Sequence, residues 1–239
     1  MLSILHHDPS LIAISKPPGL LVHRSAIDRH ETRNAMTLLR DQIGRPVFPV
    51  HRLDKPTSGV LLFALDSDTA RLMGRLFAEN HISKTYLAVV RGHTAAADTI
   101  DYPLVEEPDK LTDALAMPDK PAQSAVTHYE RLAATELPYP VGRYPTCRYS
   151  LLKVTPATGR KHQIRRHMKH IFHPVIGDTT HGDGRHNRFF REQLDCPRLL
   201  LAATHLSFYH PHSGLPVEIH APPDKTFNAL LERLGWGYP

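Results

Sequence analysis

Three observations predict a mixed α+β fold for this 239-residue chain. The chain contains 21 prolines and 13 glycines, a composition that favours strands and turns over long helices. Helical patterns are short. From residue 47 to residue 92 the pattern runs strand, tight turn, strand, helix and strand. With 41% hydrophobic residues, the chain is long enough to bury a sizeable core in one large domain or two closely joined lobes.

The first half supplies most of this pattern. Two short strands flank the Asp-Pro turn near the start, and the Lys-Pro-Pro-Gly sequence at 16–19 predicts a second turn. The apolar run GVLLFAL at 59–65, which follows the HRLDKPTSG stretch, suits a strand buried on both faces. The remaining predicted elements are a short helix over 35–43, that buried strand over 59–65, a helix from Asp66 or Ser67 to near Asn80, and a strand over 84–92.

The second half is predicted to begin with a segment that lies outside the core. Residues 92–123 are rich in Ala, Pro, Asp and Glu and are expected to form a solvated excursion, most acidic over 101–119. Residues 125–133 and 147–156 look like a strand pair joined by a Pro- and Tyr-rich segment. A hairpin turning near Ser213-Gly214 and a helix over about 225–234 complete the prediction.

Composition limits the function classes. The formal net charge is +5, which favours an anionic partner, with nucleic acid the commonest. Two cysteines argue against a disulfide framework and against a cysteine-based zinc site. The N-terminus lacks a signal-peptide pattern, and no run of about 18 apolar residues is present. We therefore expect a cytoplasmic protein with no membrane contact.

The stretch HRLDKPTSG, residues 51–59, places one carboxylate, Asp54, between an arginine and a turn that closes at Gly59. A buried strand follows at once. Such an aspartate often caps a turn, and Pro56 with Gly59 is ordinary turn chemistry. The alternative is a reactive carboxylate held at the end of a strand.

A second unusual stretch, TGRKHQIRRHMKHIFHP at 158–174, is basic and contains no acid from residue 160 to 169. As a helix beginning near Lys161, it places Lys161, Arg165 and Lys169 four residues apart on one face, where like charges destabilise an isolated helix. This face is either simply solvated or a surface that follows phosphates, with one arginine turned inward to a carboxylate. The cationic segment HGDGRHNRFFR supports the second interpretation.

The histidines of the same stretch suggest zinc, because histidines three or four residues apart bind that ion on a helix. No Glu or Asp within the stretch completes such a site, and the chain contains 18 histidines in all. We therefore predict no metal site. The residues concerned are His162, His167, His170 and His173.

Three stretches in this order, HRLDKPTSG, KTYLAVVRG and TGRKHQIRRH, resemble the pseudouridine synthases, specifically the family typified by ribosomal large-subunit synthase A. The family pattern H-R-L-D-x-x-T-S-G is matched at every fixed position, and the resemblance covers essentially the whole chain. It implies a mixed α/β domain whose bent central antiparallel sheet forms a catalytic cleft. It also implies that Asp54 is the nucleophile, that Tyr86 packs against the target base and that Arg165 pairs with Asp54. No cofactor is implied.

Within this family, the sequence GDTTHGDGRHNR is similar to a narrower group that modifies tRNA at the uridine of position 65, in the T stem. Many relatives have Pro-x-Tyr-Gly where this chain has Thr-Thr-His-Gly. The chain begins directly with the first strands of the catalytic domain, so we expect one domain over 1–239, without an N-terminal RNA-binding domain, acting as a monomer.

The reaction breaks the uracil N1–C1′ bond and rejoins the base through C5, and it needs a nucleophile and a pocket that retains the base. Attack by Asp54 at C1′, attack at C6 and assisted elimination all remain open. A paired uridine must be flipped out at a cost of a few kcal/mol. Arg52 is predicted to fill the gap that this leaves, while the predicted phosphate contacts are Arg160, Lys161, Arg166, Lys169, Arg185, Arg188 and Arg191.

Three alternatives stay open. The first is a ribosomal RNA target for the same chemistry. The second is an RNA-binding module without catalysis, for which a buried carboxylate beside phosphate has no use. The third is a metal-dependent nuclease, which needs clustered acids that the Asp54 motif lacks.

Overall fold

The computed structural model describes residues 1–23, 33–107 and 121–237. The chain divides into two compact units. The first comprises Met1–Lys84, Pro103–Gln123 and Ala203–Pro222, and the second Thr85–Tyr102, Ser124–Ala202 and Pro223–Pro239.

The described chain combines helices with a mostly antiparallel sheet, so the predicted mixed α+β class is confirmed. In chain order the elements are β1 (Ser3–His7), β2 (Leu11–Lys16), α1 (Ala35–Ile43), β3 (Phe48–Pro49), β4 (Ser58–Ala64), α2 (Ser67–Ala78), β5 (Ser83–Arg91), β6 (Ala97–Asp101), β7 (Val126–Leu137), β8 (Cys147–Pro156), α3 (Gln163–His170), α4 (Gly184–Gln193), β9 (Leu201–Tyr209), β10 (Pro216–His220) and α5 (Lys225–Arg233). None of the described helices combines the length and apolar character that crossing a membrane requires.

In the first unit, β2 pairs antiparallel with both β1 and β4, and β10 pairs antiparallel with β9. Helices α1 and α2 begin where the sequence predicts, because the side chains of Asn34 and Asp66 accept hydrogen bonds from the N–H groups three residues later. Met73 of α2 packs in a core cluster with apolar residues of β2, β4, β9 and β10. Local capping thus sets where the helices of this unit begin, and core packing holds α2 against the strands.

Strand β4 follows the HRLDKPTSG motif, and all seven of its residues are buried. Gly59 has a φ of +111°, and a Cβ added there would overlap the backbone of Ala203. The glycine that closes the motif is thus required both by its backbone conformation and by the close approach of β9.

In the second unit, four antiparallel strands follow the order β5, β8, β7, β6. Alternate residues of β5 contribute to different cores: Leu87 and Val89 to one, Ala88 and Val90 to the other. Helices α4 and α5 pack into the first of these cores and α3 into the second. The sheet of this unit is therefore covered on both faces.

Two predictions about this unit are wrong. Residues 97–101, expected to lie in a solvated excursion, form β6, and Ile100 and Leu104 are buried. The segment contains a single strongly apolar residue, so its pattern is weak, and pairing with β7 supplies the order. Helix α3 begins at Gln163 rather than near Lys161. Residues 108–120 of the acidic segment lie outside the described residues.

The close approach at Gly59 predicts a large effect of Gly59→Ala. Because the added Cβ meets backbone that cannot rotate away, we expect the free energy of unfolding to fall by about 3 kcal/mol. The measurement is urea denaturation followed by circular dichroism. Gly44→Ala is the matched control: its φ is +71° but nothing lies within 4 Å of the added Cβ, so its loss should be about 1–2 kcal/mol. Equal losses of unfolding free energy in the two variants would show that the close approach of Ala203 to Gly59 does not add to the cost.

Candidate active site

Asp54 lies in the first unit, half-buried, on the tight turn between β3 and β4. The N–H of Thr57 donates to the Asp54 carbonyl at 3.0 Å and closes the turn. The next carbonyl, that of Lys55, accepts from the Gly19 N–H at 2.9 Å. The backbone that follows the Asp54 side chain is therefore held by hydrogen bonds.

Lys16 reinforces this turn. Its side chain is 0% exposed, and its ammonium group donates to the carbonyls of Pro17 at 3.0 Å, Leu20 at 2.8 Å and Lys55 at 3.0 Å. A buried ammonium persists only where such acceptors replace water. Lys16 thus ties the Lys-Pro-Pro-Gly turn to the residue beside Asp54, a role that the sequence pattern, which predicts only a turn there, does not reveal.

His51 supports the same motif as a neutral ring. Its Nε2 accepts a hydrogen bond from the N–H of Leu62 at 3.0 Å, and the ring stacks on Phe77 with centroids 4.9 Å apart. Burial, with a smaller contribution from the nearby Lys84 charge, lowers the pKa of His51 to about 3. An uncharged imidazole at neutral pH is what the accepted backbone hydrogen bond requires. Arg52 is exposed.

In the second unit, Arg165 and Asp178 form a buried two-point ion pair. Arg165 Nε donates to Asp178 Oδ2 at 2.7 Å and Nη2 donates to Oδ1 at 2.8 Å. The two side chains are 5% and 0% exposed. The geometry matches the planar fork of a guanidinium to a carboxylate, which lysine cannot reproduce.

Further hydrogen bonds hold Asp178 in place. Oδ1 also accepts from the N–H groups of Thr180 and His181, both at 2.9 Å. Burial by itself raises the pKa of the Asp178 carboxyl, but the hydrogen bonds from Arg165 and from these two N–H groups outweigh it, so the pKa lies below its ordinary value. Asp178 is therefore ionised throughout the physiological pH range.

The loop that carries Asp178 is fixed by α4. The Asn187 side chain accepts from the Gly177 N–H at 2.7 Å and donates to the Asp178 carbonyl at 2.8 Å. Gly177 has a φ of +80°, and a Cβ there would overlap the backbone of Arg198. The glycine and the asparagine together set the direction of the carboxylate.

Gln163 accounts for much of the TGRKHQIRRH motif. Its Oε1 accepts from the Thr158 hydroxyl at 2.7 Å and from the Arg160 N–H at 3.0 Å. Its Nε2 donates to the Val126 carbonyl and to Thr127 Oγ1, both at 2.9 Å. One side chain thus fastens the first turn of α3 to the turn before it and to β7, which determines where Arg165 points.

The histidines considered for zinc mostly have structural partners. His167 bonds the Thr127 hydroxyl at 2.9 Å and the Tyr102 carbonyl at 3.0 Å, while the His170 ring stacks on Tyr102. His173 Nδ1 lies 2.7 Å from the Arg91 carbonyl. The contacts of His167 and His173 occupy ring nitrogens that a metal would need. His162 Nδ1 lies 3.1 Å from His181 Nε2, and these two histidines belong to a group with metal-compatible spacing.

A different group has metal-compatible spacing. His205 of β9 and Glu218 and His220 of β10 place their ligand atoms within 4.8 Å of one another, at an exposed position of the first unit. His205 and His220 face each other across the strand pair, with ring centroids 4.3 Å apart. Two imidazoles and a carboxylate are a donor set that zinc accepts. This group lies outside the sequence motifs.

Tyr86 and α3 share a core. Ile164 and Met168 of α3 cluster with Ala88 and Val90 of β5, and half-buried Tyr86 packs against that cluster. The strand predicted to present the tyrosine and the helix predicted to present Arg165 are thus packed together within the second unit.

The interpretation in which one arginine of this stretch turns inward to a carboxylate is confirmed by Arg165. Arg165 is buried, so it does not belong to an exposed row with Lys161 and Lys169. The charge of Arg165 is balanced by Asp178, thirteen residues farther along the chain, which the local pattern does not reveal. Of the other predicted RNA contacts, Lys161 and Arg166 are half-buried, whereas the exposed ones are Arg160, Lys169, Arg185, Arg188 and Arg191.

Comparison with known proteins identifies the group to which the chain is related. The family model described as RNA pseudouridylate synthase matches residues 10–170. The chain belongs to the RNA pseudouridylate synthase family. The resemblance drawn from the three sequence motifs is confirmed, and with it the activity class: the family's enzymes are isomerases.

Curated members of the RNA pseudouridylate synthase family resemble the chain along its whole length. It is 53% identical over 236 residues to the tRNA pseudouridine synthase C of Vibrio cholerae, covering 99% of this chain and 97% of that protein. It is 52% identical to the tRNA pseudouridine synthase C of Haemophilus influenzae, covering 99% of each.

Solved structures confirm the fold. Human RNA pseudouridylate synthase domain containing 4 superposes with a TM-score of 0.74 at 27% identity, covering 99% of this chain and 94% of that one. Human RNA pseudouridylate synthase domain containing 1 gives 0.71 at 26% identity, covering 96% and 87%.

The buried pair in the second unit predicts a pH-dependent effect of Asp178→Asn. The variant keeps the size of the side chain but leaves the buried guanidinium beside a neutral amide, so we expect unfolding free energy at pH 7 to fall by about 3–5 kcal/mol. Because the pKa is lowered in the folded state, the stability from this carboxylate is complete above the unfolded pKa of about 3.9 and is lost as pH falls through the folded pKa. The difference between wild type and variant should therefore shrink below about pH 4.

Urea denaturation at several pH values measures this difference. Asp68→Asn is the matched control, since the Asp68 side chain is 83% exposed and lies 3.8 Å from Arg71, and it should change stability by less than about 0.5 kcal/mol. A loss for Asp178→Asn that does not vary with pH would assign the effect to shape rather than to charge.

Proposed function

We propose that this chain isomerises uridine to pseudouridine in tRNA, at the uridine of position 65 in the T stem. The observation that carries the substrate is full-length similarity: the relatives at 50–53% identity are each named tRNA pseudouridine synthase C. The +5 charge suits a polyanionic substrate. A tRNA substrate also agrees with the cytoplasmic location expected from the sequence.

Asp54 is the proposed nucleophile. The isomerisation needs a carboxylate that adds to the substrate and later leaves, without redox change or a donated group. The turn at Asp54, held by the hydrogen bonds to Asp54 and Lys55 carbonyls, supplies a preorganised backbone for such a group. No cofactor is part of the proposal.

Tyr86 and Arg165 are the proposed partners in the reaction. The tyrosine ring stacks on the flipped uracil and offsets part of the flipping cost, since a base–aromatic stack contributes about 1–3 kcal/mol. Arg165 aims the Asp54 carboxylate, and the Asp178 pair fixes the guanidinium for this task through Nε and Nη2. A guanidinium has five N–H donors, and the two hydrogen bonds to Asp178 use only two of them.

The proposed tRNA contacts are the cations predicted from the sequence. The exposed ones contact phosphates directly, Lys161 and Arg166 contribute from half-buried positions, and Arg52 fills the gap left by the flipped base. These contacts orient the tRNA but do not read its sequence.

The first experiment measures tritium release from C5-labelled uridine in an unmodified tRNA transcript. Wild type should release tritium and Asp54→Asn should not, because an amide cannot act as the nucleophile. Asp68→Asn, an exposed aspartate of α2, should retain wild-type release. Full release by Asp54→Asn would overturn the assignment of the nucleophile.

Product mapping then tests the position. A single pseudouridine at position 65, and no release from a transcript with cytidine there, is the expected result. Release from ribosomal RNA but not from tRNA would keep the chemistry and overturn the substrate. Absence of release from both would leave RNA binding without catalysis.

The phosphate contacts predict a salt effect. Lys169→Gln should lower the slope of log affinity against log salt by about 0.7–0.9, the value for one lost phosphate contact. Affinity is measured by fluorescence anisotropy with labelled tRNA. Arg40→Gln is the control, because Arg40 pairs with Asp41 on α1 at 2.7 Å and is not a predicted contact. An unchanged slope for Lys169→Gln would mean that Lys169 is merely solvated.

A further inference from the structure

The second unit presents tyrosines and arginines together at one surface, away from the three sequence motifs. The segment between β7 and β8 supplies Tyr139, Arg143 and Tyr144, and α4 supplies Arg185 and Arg188. A Cβ at Gly142 of the segment would lie 3.9 Å from Arg185 Nη1, so the segment and the helix are neighbours. These five residues are called the tyrosine–arginine surface below.

Both tyrosine rings are accessible. Tyr144 is 60% exposed and Tyr139 43% exposed. The Arg143 guanidinium carbon lies 4.8 Å from the centre of the Tyr144 ring, which places the cation over its face. Tyr139 packs on Phe189 of α4, with centroids 5.1 Å apart at 51°. Each ring is thus held in position from within the unit while part of it faces solvent.

A cavity of about 300 Å³ lies beside Tyr139. Arg185 and Arg188 line it together with the apolar residues Pro140, Val141 and Phe189 and the polar residues Glu192 and Gln193. Two arginines beside aromatic and apolar residues suit a planar group that carries a negative charge at its edge, which describes a nucleotide better than a peptide.

The charge of this surface is predominantly positive. Arg143, Arg185 and Arg188 are all exposed. The nearby acids are Glu192, which lies at 3.2 Å from Arg191, and Asp183, which lies 3.7 Å from Arg185 but has a closer partner in Arg91 at 2.6 Å. Three cations beside exposed aromatic rings form the combination that binds single-stranded nucleic acid, in which bases stack and phosphates meet arginine.

We propose that the tyrosine–arginine surface binds an unpaired nucleotide of the RNA substrate, with the base stacked on Tyr144 and the adjacent phosphates on the arginines. A base inside a helix has both faces covered, so the stacking requires an unpaired one. This inference rests on the proposed function for the identity of the RNA, and it adds a second contact outside the catalytic motifs.

The test uses the full chain and three labelled RNA probes: an unmodified tRNA transcript, a single-stranded 12-mer and the corresponding duplex. Tyr144→Leu should weaken binding of the tRNA and the single strand by about tenfold, the effect of one lost base–aromatic stack. Tyr144→Phe should bind as wild type, because the ring is kept. Duplex binding should be the same in all three proteins.

Tyr209→Leu is the matched control. Tyr209 is a tyrosine of β9 in the first unit and is 71% exposed, so its loss should leave binding to all three probes unchanged. Arg143→Gln tests the charged part of the surface, and should lower the salt slope of single-strand binding by about 0.7. Circular dichroism and thermal unfolding establish that each variant is folded.

The proposal is overturned if folded Tyr144→Leu binds the single strand and the tRNA as tightly as wild type. It is also overturned if the variant loses duplex affinity to the same extent, which would indicate general charge binding. These outcomes are independent of tritium release by wild type, so failure of the proposed isomerisation and failure of the RNA surface give different results.

Discussion

The buried ion pair between Arg165 and Asp178 is the constraint on which the second unit depends. A guanidinium that is 5% exposed destabilises the fold unless a carboxylate meets it with good geometry. That requirement explains the surroundings: Gly177 allows the turn at a φ of +80°, and Asn187 fixes its direction. Two backbone N–H groups also donate hydrogen bonds to the Asp178 carboxylate. Gln163 fixes the helix that carries Arg165.

The first unit uses backbone hydrogen bonds for the same purpose. The turn that bears Asp54 is held through the carbonyl of Lys55, which accepts both the Gly19 N–H and the buried Lys16 ammonium. The buried Lys16 ammonium is directed at backbone carbonyls, so it orders the chain beside Asp54 through hydrogen bonds to the main chain. Enzymes that act through a fixed charge need this order before the substrate arrives, since reorganisation during the reaction raises the barrier.

Several residues of the sequence motifs have structural roles. Much of HRLDKPTSG and TGRKHQIRRH supports the structure: His51 as a neutral acceptor, Gly59 where β9 approaches, and Gln163 and His167 as anchors of α3. The tyrosine–arginine surface lies in the connecting segment between β7 and β8 and on α4, the helix whose Asn187 also holds the Asp178 loop.

The sequence by itself determined the elements whose signals are local. Caps at Asn34 and Asp66 set the starts of α1 and α2, the apolar run defined β4, and three motifs identified the family. It did not determine β6, which contains one strongly apolar residue and is ordered by pairing with β7. Nor did it reveal Asp178 as a partner of Arg165 or the three carbonyls that bind Lys16. Those contacts join residues whose meeting depends on how turns and helices pack, and packing, unlike capping or periodicity, leaves no pattern in adjacent residues.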